Sequence, residues 1–520
     1  MPNTPNKPPK TASPCASEVS AVSDTEGPAP SEPSSTTRRT EEDAAASVSG
    51  EVPSRLVPTK ERITFGLGGM TMFLGNVSIG ATAQAFFTML LGVSPALLSI
   101  ALAVPRLWDA FTDPLMGRIS DKFHSKFGRR RPFIFIGSLM MGLTFGLIWM
   151  VPAEWPGTSI MLWFIISSLI FYTCFTVFSV PFTSLSYEMT PDYTERTAIM
   201  GHATFWSKVA EFGYQWLIPL GLGLAGWGLV DNDITGIRTV MWSLGLIFMF
   251  GFGVMPAIFT KERYYAVNLR EQASHETSPF WRSLGQTLKN KAFVVILGIA
   301  LLQIIGGMFA STLDHYLLVY YMFDGDILTG SIWKGYLSSA YAVCGFISIP
   351  VMVFLSKRFG KRTSLRIVFW LVIINGVLRW FIYTPGNHPF IFADAIIGSL
   401  YWIAVGTVQP SMIADTCDAD ELKYGERREG MFSSIFGWIT KCAIVLGIMA
   451  GGFSLSLVGF DAELGGSQSD SAFLGMRLFM VLGSIIPNLI ALGLLSLYPI
   501  TKEQAARTRL ILETRRGKVV

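Results

Sequence analysis

From Ile63 onward, stretches of about 20 mostly apolar residues recur along this chain, separated by short polar breaks. About 20 such residues are what a helix needs to cross a bilayer, where every backbone polar group must find its partner inside the protein. Twelve stretches qualify: residues 63–90, 95–117, 132–151, 159–183, 200–226 and 238–259, then 292–322, 332–355, 365–384, 389–413, 431–457 and 472–498. A polar segment from Lys261 to Lys291 divides them six and six. Half of the 520 residues are hydrophobic and 15% are charged, against about 25% charged in soluble chains. The charge is too sparse to give a soluble enzyme of this size a water-facing surface. The 50 glycines suit helices that approach closely within a membrane.

Lys and Arg set the expected orientation. The breaks at 118–131, 184–199, 261–291, 356–366 and 414–430 carry 21 of them. The six alternate breaks, counted with their rims, carry two, Arg238 and Lys334. By the positive-inside rule both termini face the cytoplasm, and the protein sits in the cell membrane. Residues 1–58 form a cytoplasmic tail. Its first 54 residues have a net charge of −4 and contain no Leu, Ile, Phe, Trp or Tyr, a composition that cannot offset the entropy of ordering. The remaining expected units are a bundle over 59–260, a linker over 261–291, a second bundle over 292–499 and a basic tail over 500–520. Five cysteines, with Cys417 placed in a cytoplasmic loop, suggest neither a disulfide framework nor zinc. No nucleophile–base constellation or phosphate loop points to an enzyme or a cofactor.

Ionisable residues within spans are costly and need a reason. Helix 2 contains Asp109 and Asp113, four residues apart and therefore on one helical face. Two neighbouring carboxylates call for a cation, either Na⁺ held by carboxylate and hydroxyl oxygens or a shared proton. Arg106 alone cannot balance both. Thr112 lies between them, and helix 4 presents a polar stripe of Tyr172, Thr176, Ser179 and Thr183. Lys441 is mid-span in helix 11 beside Trp438, too deep to snorkel, and seeks a carboxylate such as the helix 2 pair or a hydroxyl-rich or anionic ligand. Lys208 and Glu211 are spaced to satisfy each other. Asp314, His315, Arg379 and Asp394 lie nearer span ends or lack an evident partner. Asn76 and Gln84 are candidates to line a cavity, and Trp206, Trp402 and Trp438 are candidates to contact a sugar face.

The two halves echo each other. Gly117-Arg-Ile-Ser-Asp121 with Gly128-Arg129-Arg130-Arg131 after helix 2 corresponds to Ser356-Lys-Arg-Phe-Gly360-Lys361-Arg362 after helix 8. Glu195-Arg196 followed by Trp206 and Lys208 corresponds to Glu426-Arg427-Arg428 followed by Trp438 and Lys441. This pattern resembles the major facilitator superfamily, which implies an all-α membrane protein with twelve transmembrane helices in two pseudo-symmetric six-helix bundles. Arg106-x-Trp108-Asp109-Ala110-x-x-Asp113-Pro114, Val180-Pro181-Phe182, Glu188-Met-Thr-Pro191-Asp192, Phe280-Trp281-Arg282, Ile413-Ala414-Asp415 and Arg428-Glu429-Gly430 sharpen the match. Over about residues 60–500 the chain resembles the glycoside–pentoside–hexuronide:cation symporters, the family of melibiose permease.

The resemblance implies a cation site at Asp109, Asp113 and Thr176, and a coupling role for Lys441. It also implies a cytoplasmic gating network of Arg106, Asp121, Arg129, Arg130, Glu195, Arg196, Asp415, Asp418, Glu421, Arg427 and Arg428. The chain departs from melibiose permease where that protein holds its sugar. It has no acid near Gly69-Met70-Thr71-Met72, Ser179 stands for an aspartate, Thr183 for a tryptophan, and Thr204 lies near the arginine position. Thr112 replaces an asparagine. These departures speak against a galactoside and leave Na⁺ or H⁺ open. The resulting expectation is a monomeric symporter of a sugar or glycoside with a cation, without nucleic-acid partners. The alternatives are a lysophospholipid symporter of the same family, or a sensor built on the transporter fold.

Overall fold

The computed structural model describes residues 57–123, 125–190, 193–262, 285, 287–425 and 428–515. They form helices and turns, with no strand among the described residues. The elements are α1 Thr59–Leu90, α2 Pro95–Lys122, α3 Arg131–Ile148, α4 Gly157–Met189, α5 over 193–226 and α6 Asp233–Phe259. They continue with α7 Lys291–Met322, α8 Ile327–Phe359, α9 Lys361–Ile382, α10 His388–Tyr424, α11 Glu429–Leu457, α12 Asp470–Ser496 and a short α13, Lys502–Arg515.

Ten of the described helices are long and apolar enough to cross a membrane. The two expected spans outside that set are α2 and α5, which carry the charges of Asp109 and Asp113 and of Lys208 and Glu211. Such helices cross a bilayer only with those charges turned toward protein or water. α5 is also interrupted by a single 3₁₀ turn, Tyr214–Trp216.

Packing follows the repeat. α1 packs on α5 and α6, α3 on α6, and α2 on α4. Six helices later the same pairs recur: α7 on α11 and α12, α9 on α12, and α8 on α10. α2 against α11 and α5 against α8 join the halves. Close approach within a half depends on small residues: a Cβ on Gly69 of α1 would lie 2.9 Å from Ala203 of α5. The same holds between halves, where a Cβ on Gly452 of α11 would meet Ser99 Cβ of α2 at 2.5 Å.

The two ends of the bundle differ. At the end remote from the basic loops, a single core draws Phe86, Phe87 and Trp149 from the first half and Leu313, Tyr316, Leu455 and Met476 from the second. Trp216 of α5 donates its indole N–H to Ser339 of α8 at 2.9 Å, and its ring meets Tyr336 edge-on. At the basic-loop end, the second half has a separate core around Phe293, Phe432, Ile413 and Tyr498. The halves are fused at one end and distinct at the other.

Several helices outrun the apolar stretches. α10 continues eleven residues past the expected end at 413 and stops at Tyr424, where Gly425 turns the chain with φ +75°. Asp415, Cys417 and Asp418, expected in a loop, therefore lie on helix, and Cys417 is buried. Hydrophobicity marks the bilayer, and helices do not end at its surface. Likewise α13 makes helix of residues 502–515 within the tail expected over 500–520.

Candidate functional site

Asp109 and Asp113 emerge on one face of α2, at the seam with α4 and α11. Thr176 of α4, only 1% exposed, places Oγ1 2.9 Å from Asp109 Oδ1, 3.2 Å from Asp113 Oδ1 and 3.1 Å from Thr112 Oγ1. Lys441 of α11 reaches across the seam and donates to Asp109 Oδ2 at 2.7 Å and Asp113 Oδ2 at 2.5 Å. Asp109 is 3% exposed. The cluster holds two negative charges against one positive, ringed by hydroxyls. An ammonium is a hard, compact cation, and the oxygens it engages are the kind that bind hard metal cations.

The rest of the α4 stripe is placed as follows. Tyr172 is buried with the Arg106 guanidinium 4.8 Å above its ring. Thr183 donates to the Ser179 carbonyl at 2.9 Å. Arg106, grouped by the sequence with the cytoplasmic gate, lies mid-span instead. It donates to Asn76 Oδ1 at 2.7 Å and to the Asn76 carbonyl, tying α2 to α1. The reason is reach: about four helical turns separate it from the end where Asp121 stands.

A cavity of about 310 Å³ opens between the halves. Phe73 and Val77 of α1 and Glu211, Tyr214 and Gln215 of α5 line it from one side, and α7 to α10 with α12 from the other. Of the three tryptophan candidates, Trp402 lines it, whereas Trp206 packs against Gly66 of α1 and Trp438 is half exposed beside Lys441. Asn76, Tyr172, Ser179, Thr183 and Lys441 are not among its walls. The expected Lys208–Glu211 pair is present at 2.5 Å.

The second half holds charge pairs that the sequence did not connect. Lys334, placed by the sequence at a rim, is 7% exposed and ion-paired with Asp314 one helix away. Arg379 grips Asp394 through Nε at 2.7 Å and Nη2 at 3.2 Å, and donates through Nη1 to Ser484 at 2.7 Å. Asn375, Tyr341 and Tyr383 also donate to Asp394, at 2.5, 3.1 and 3.4 Å. His315 lies 3.4 Å from the Ser331 hydroxyl. Three of these positions fall near one end of an apolar stretch, where charge is unremarkable in sequence; only the helix register pairs them.

The expected gate resolves into two sets. In the first half Arg130 pairs with Asp121 at 2.5 Å, with Arg129 3.7 Å from the same oxygen, and Glu195 pairs with Arg62 at 2.7 Å. Arg196 donates to the Thr190 carbonyl. In the second half Lys361 pairs with Asp415 at 2.6 Å and Arg428 with Asp420 at 2.5 Å. Asp418 lies on α10 with these groups, and Arg427 is outside the described residues. Each of these pairs closes within its own half. Sequence reasoning also passed over Glu262, whose carboxylate accepts the backbone N–H groups of Arg129, Arg130 and Arg131 at 2.7, 2.8 and 3.0 Å. It caps α3, whose first-turn amides have no helical partner. An acid just past the end of α6 was the available signal.

Comparison with known proteins gives the family and the fold. Residues 64–502 match the family described as MFS/sugar transport protein. The isoprimeverose transporter of Lactiplantibacillus pentosus is 23% identical, over 79% of this chain and 83% of its own. The sodium-dependent lysophosphatidylcholine symporter 1 of Xenopus tropicalis is 22% identical, over 87% and 89%. The fold is that of a bacterial homologue of the human lysosomal transporter Spinster, with TM-score 0.63, 15% identity and coverage of 89% and 99%. Family and fold are those of membrane transporters, not enzymes, and the chain belongs to the MFS/sugar transport protein family.

Proposed function

We propose that this chain is a cation-coupled symporter of a neutral sugar or glycoside in the cell membrane, with both termini cytoplasmic. The observation that carries it is Lys441 bridging Asp109 and Asp113 between the halves. A Na⁺ or proton arriving at the two aspartates competes with the lysine ammonium for the same oxygens. Its binding releases α11 from α2 and favours a different relation of the halves. An ion shifts such an equilibrium only by its differential affinity for the two states, and cation and solute must then affect each other's binding equally. An isoprimeverose transporter and a sodium-dependent lysophosphatidylcholine symporter among its relatives support the class. The ion pairs and amides in the mixed lining of the cavity support the sugar.

The test is uptake into proteoliposomes of radiolabelled xylose, methyl-α-glucoside and isoprimeverose under an imposed Na⁺ or proton gradient. Accumulation that collapses with the gradient is expected. Accumulation of lysophosphatidylcholine alone would transfer the reading to a lipid symporter, a second possibility raised by the apolar exposed residues Leu107, Phe111 and Leu115 of α2. Transport of neither would overturn the proposal.

A further inference from the structure

The cavity between the halves has a chemistry of its own, separate from the α2–α4–α11 cluster. Every cation in its described lining is ion-paired. Lys334 is held by Asp314 through Oδ1, and Arg379 spends Nε, Nη1 and Nη2 on Asp394 and Ser484. Acceptors, by contrast, are in surplus. Lys208 takes Glu211 through Oε2, which leaves each of the lining carboxylates Glu211 and Asp314 a second oxygen outside its ion pair. Asn375 and Asn488 both line the cavity, are 2% and 1% exposed, and have Oδ1 atoms with no hydrogen-bond partner. Their amide nitrogens are used, by Asp394 and by the Ser484 carbonyl at 2.8 Å.

Buried polar atoms in native proteins are almost always paired, and an orphaned acceptor costs stability unless something completes it. Two such acceptors flanking one cavity, beside carboxylates with oxygens to spare, select a ligand rich in donors and without negative charge. We infer that the solute site lies in the second half of the protein, where Asn375, Asn488 and Asp314 accept hydroxyl groups of an uncharged polyhydroxylated solute. Phosphate and carboxylate groups meet no free cation there and are excluded. The site is not the α4 stripe of Ser179 and Thr183. The inference rests on the transport reading above and names where its solute binds.

Asn488→Leu tests it with little risk to the fold, since the side chain keeps its shape and its nitrogen donates to the Ser484 carbonyl of its own helix. Asp314→Asn is the second variant. The sugar accumulated by the wild type is assayed in each, together with the cation dependence of uptake. The expected result is a rise in KM of about tenfold or more for Asn488→Leu, the scale of one hydrogen bond, with unchanged cation dependence. Ser179→Ala and Thr183→Ala should leave KM within about twofold, below the value of one such bond. An unchanged KM in both Asn488→Leu and Asp314→Asn, with the wild type still accumulating sugar, overturns the site and leaves the transport reading intact. Loss of KM control through Ser179 and Thr183 instead would also overturn it. Failure of the wild type to accumulate any sugar of the panel overturns both.

Discussion

Two kinds of ion pair occupy the membrane region, and they differ in what they span. Asp109 and Asp113 find their cation, Lys441, on the opposite half of the molecule. Asp314 with Lys334, and Asp394 with Arg379, find theirs on a neighbouring helix of the same half. Removing charges from water costs several kcal/mol per ion, so both kinds need a return. A pair within one half travels with it as a rigid unit and shapes the cavity wall. A pair between halves must break whenever the halves part. On the proposed function, cation binding at the two aspartates would therefore be linked to conformation, which the internal pairs cannot achieve.

The contrast is most exposed to a single amide. Asp109→Asn or Asp113→Asn should reduce gradient-driven sugar accumulation to background while the protein still inserts and purifies normally. Gradient-driven accumulation at wild-type level in both variants would end the assignment of the cation site. Next in size is the internal pair. Lys334→Met leaves Asp314 buried without its cation and should destabilise the folded protein by about 3–5 kcal/mol, seen as a large drop in thermal transition temperature. Asp314→Leu combined with Lys334→Met should recover much of it, because apolar replacements of a whole buried pair are often tolerated. A double variant no better than the single would mean that the pair is not an isolated structural unit.

Lys441→Met separates the two kinds of pair further. With the competing ammonium gone, the cation concentration that stabilises the protein should fall about tenfold, the equivalent of 1.4 kcal/mol, while solute uptake no longer follows the gradient. An unaltered cation response would reduce the lysine to packing. The smallest effect belongs to a cap at the start of α8. Asp326 accepts from the Thr329 amide at 3.0 Å and its hydroxyl at 2.6 Å. Slight burial nudges its carboxyl up, but these hydrogen bonds outweigh it and hold it below the usual carboxylate range. Its stabilisation is present above the unfolded value near pH 4 and lost as pH falls through the folded one. Asp326→Ala should cost about 1 kcal/mol in a neutral-pH melt, with coupling untouched.

Much of the charged seam was legible from sequence because two facts needed no tertiary information. A four-residue spacing puts Asp109 and Asp113 on one face, and an unaccompanied mid-span lysine demands an anion. For Lys441 the sequence offered these aspartates beside a hydroxyl-rich or anionic ligand, and the packing of α11 on α2 selects the aspartates. Lys334 was missed because its position near the start of a span resembles a rim, whereas α8 begins at Ile327 and carries it a full two turns inward. The acids at 415–421 looked like loop because they are polar, though a helix that leaves the membrane stays helical wherever its backbone continues to pair. The cavity could not be found at all: its walls come from seven helices, and no linear pattern records which faces those helices share.

The contact of Gly452 with Ser99, and the aromatic core beside it, joins the halves by shape and without charge. Dissolved salt screens exposed charges over about 10 Å at 0.1 M and has little purchase on such a joint. Arginines, lysines and carboxylates crowd the opposite end instead. Ionic strength should therefore act on this molecule from one side only, tuning how readily the basic end closes while leaving the grip of the other end as it was.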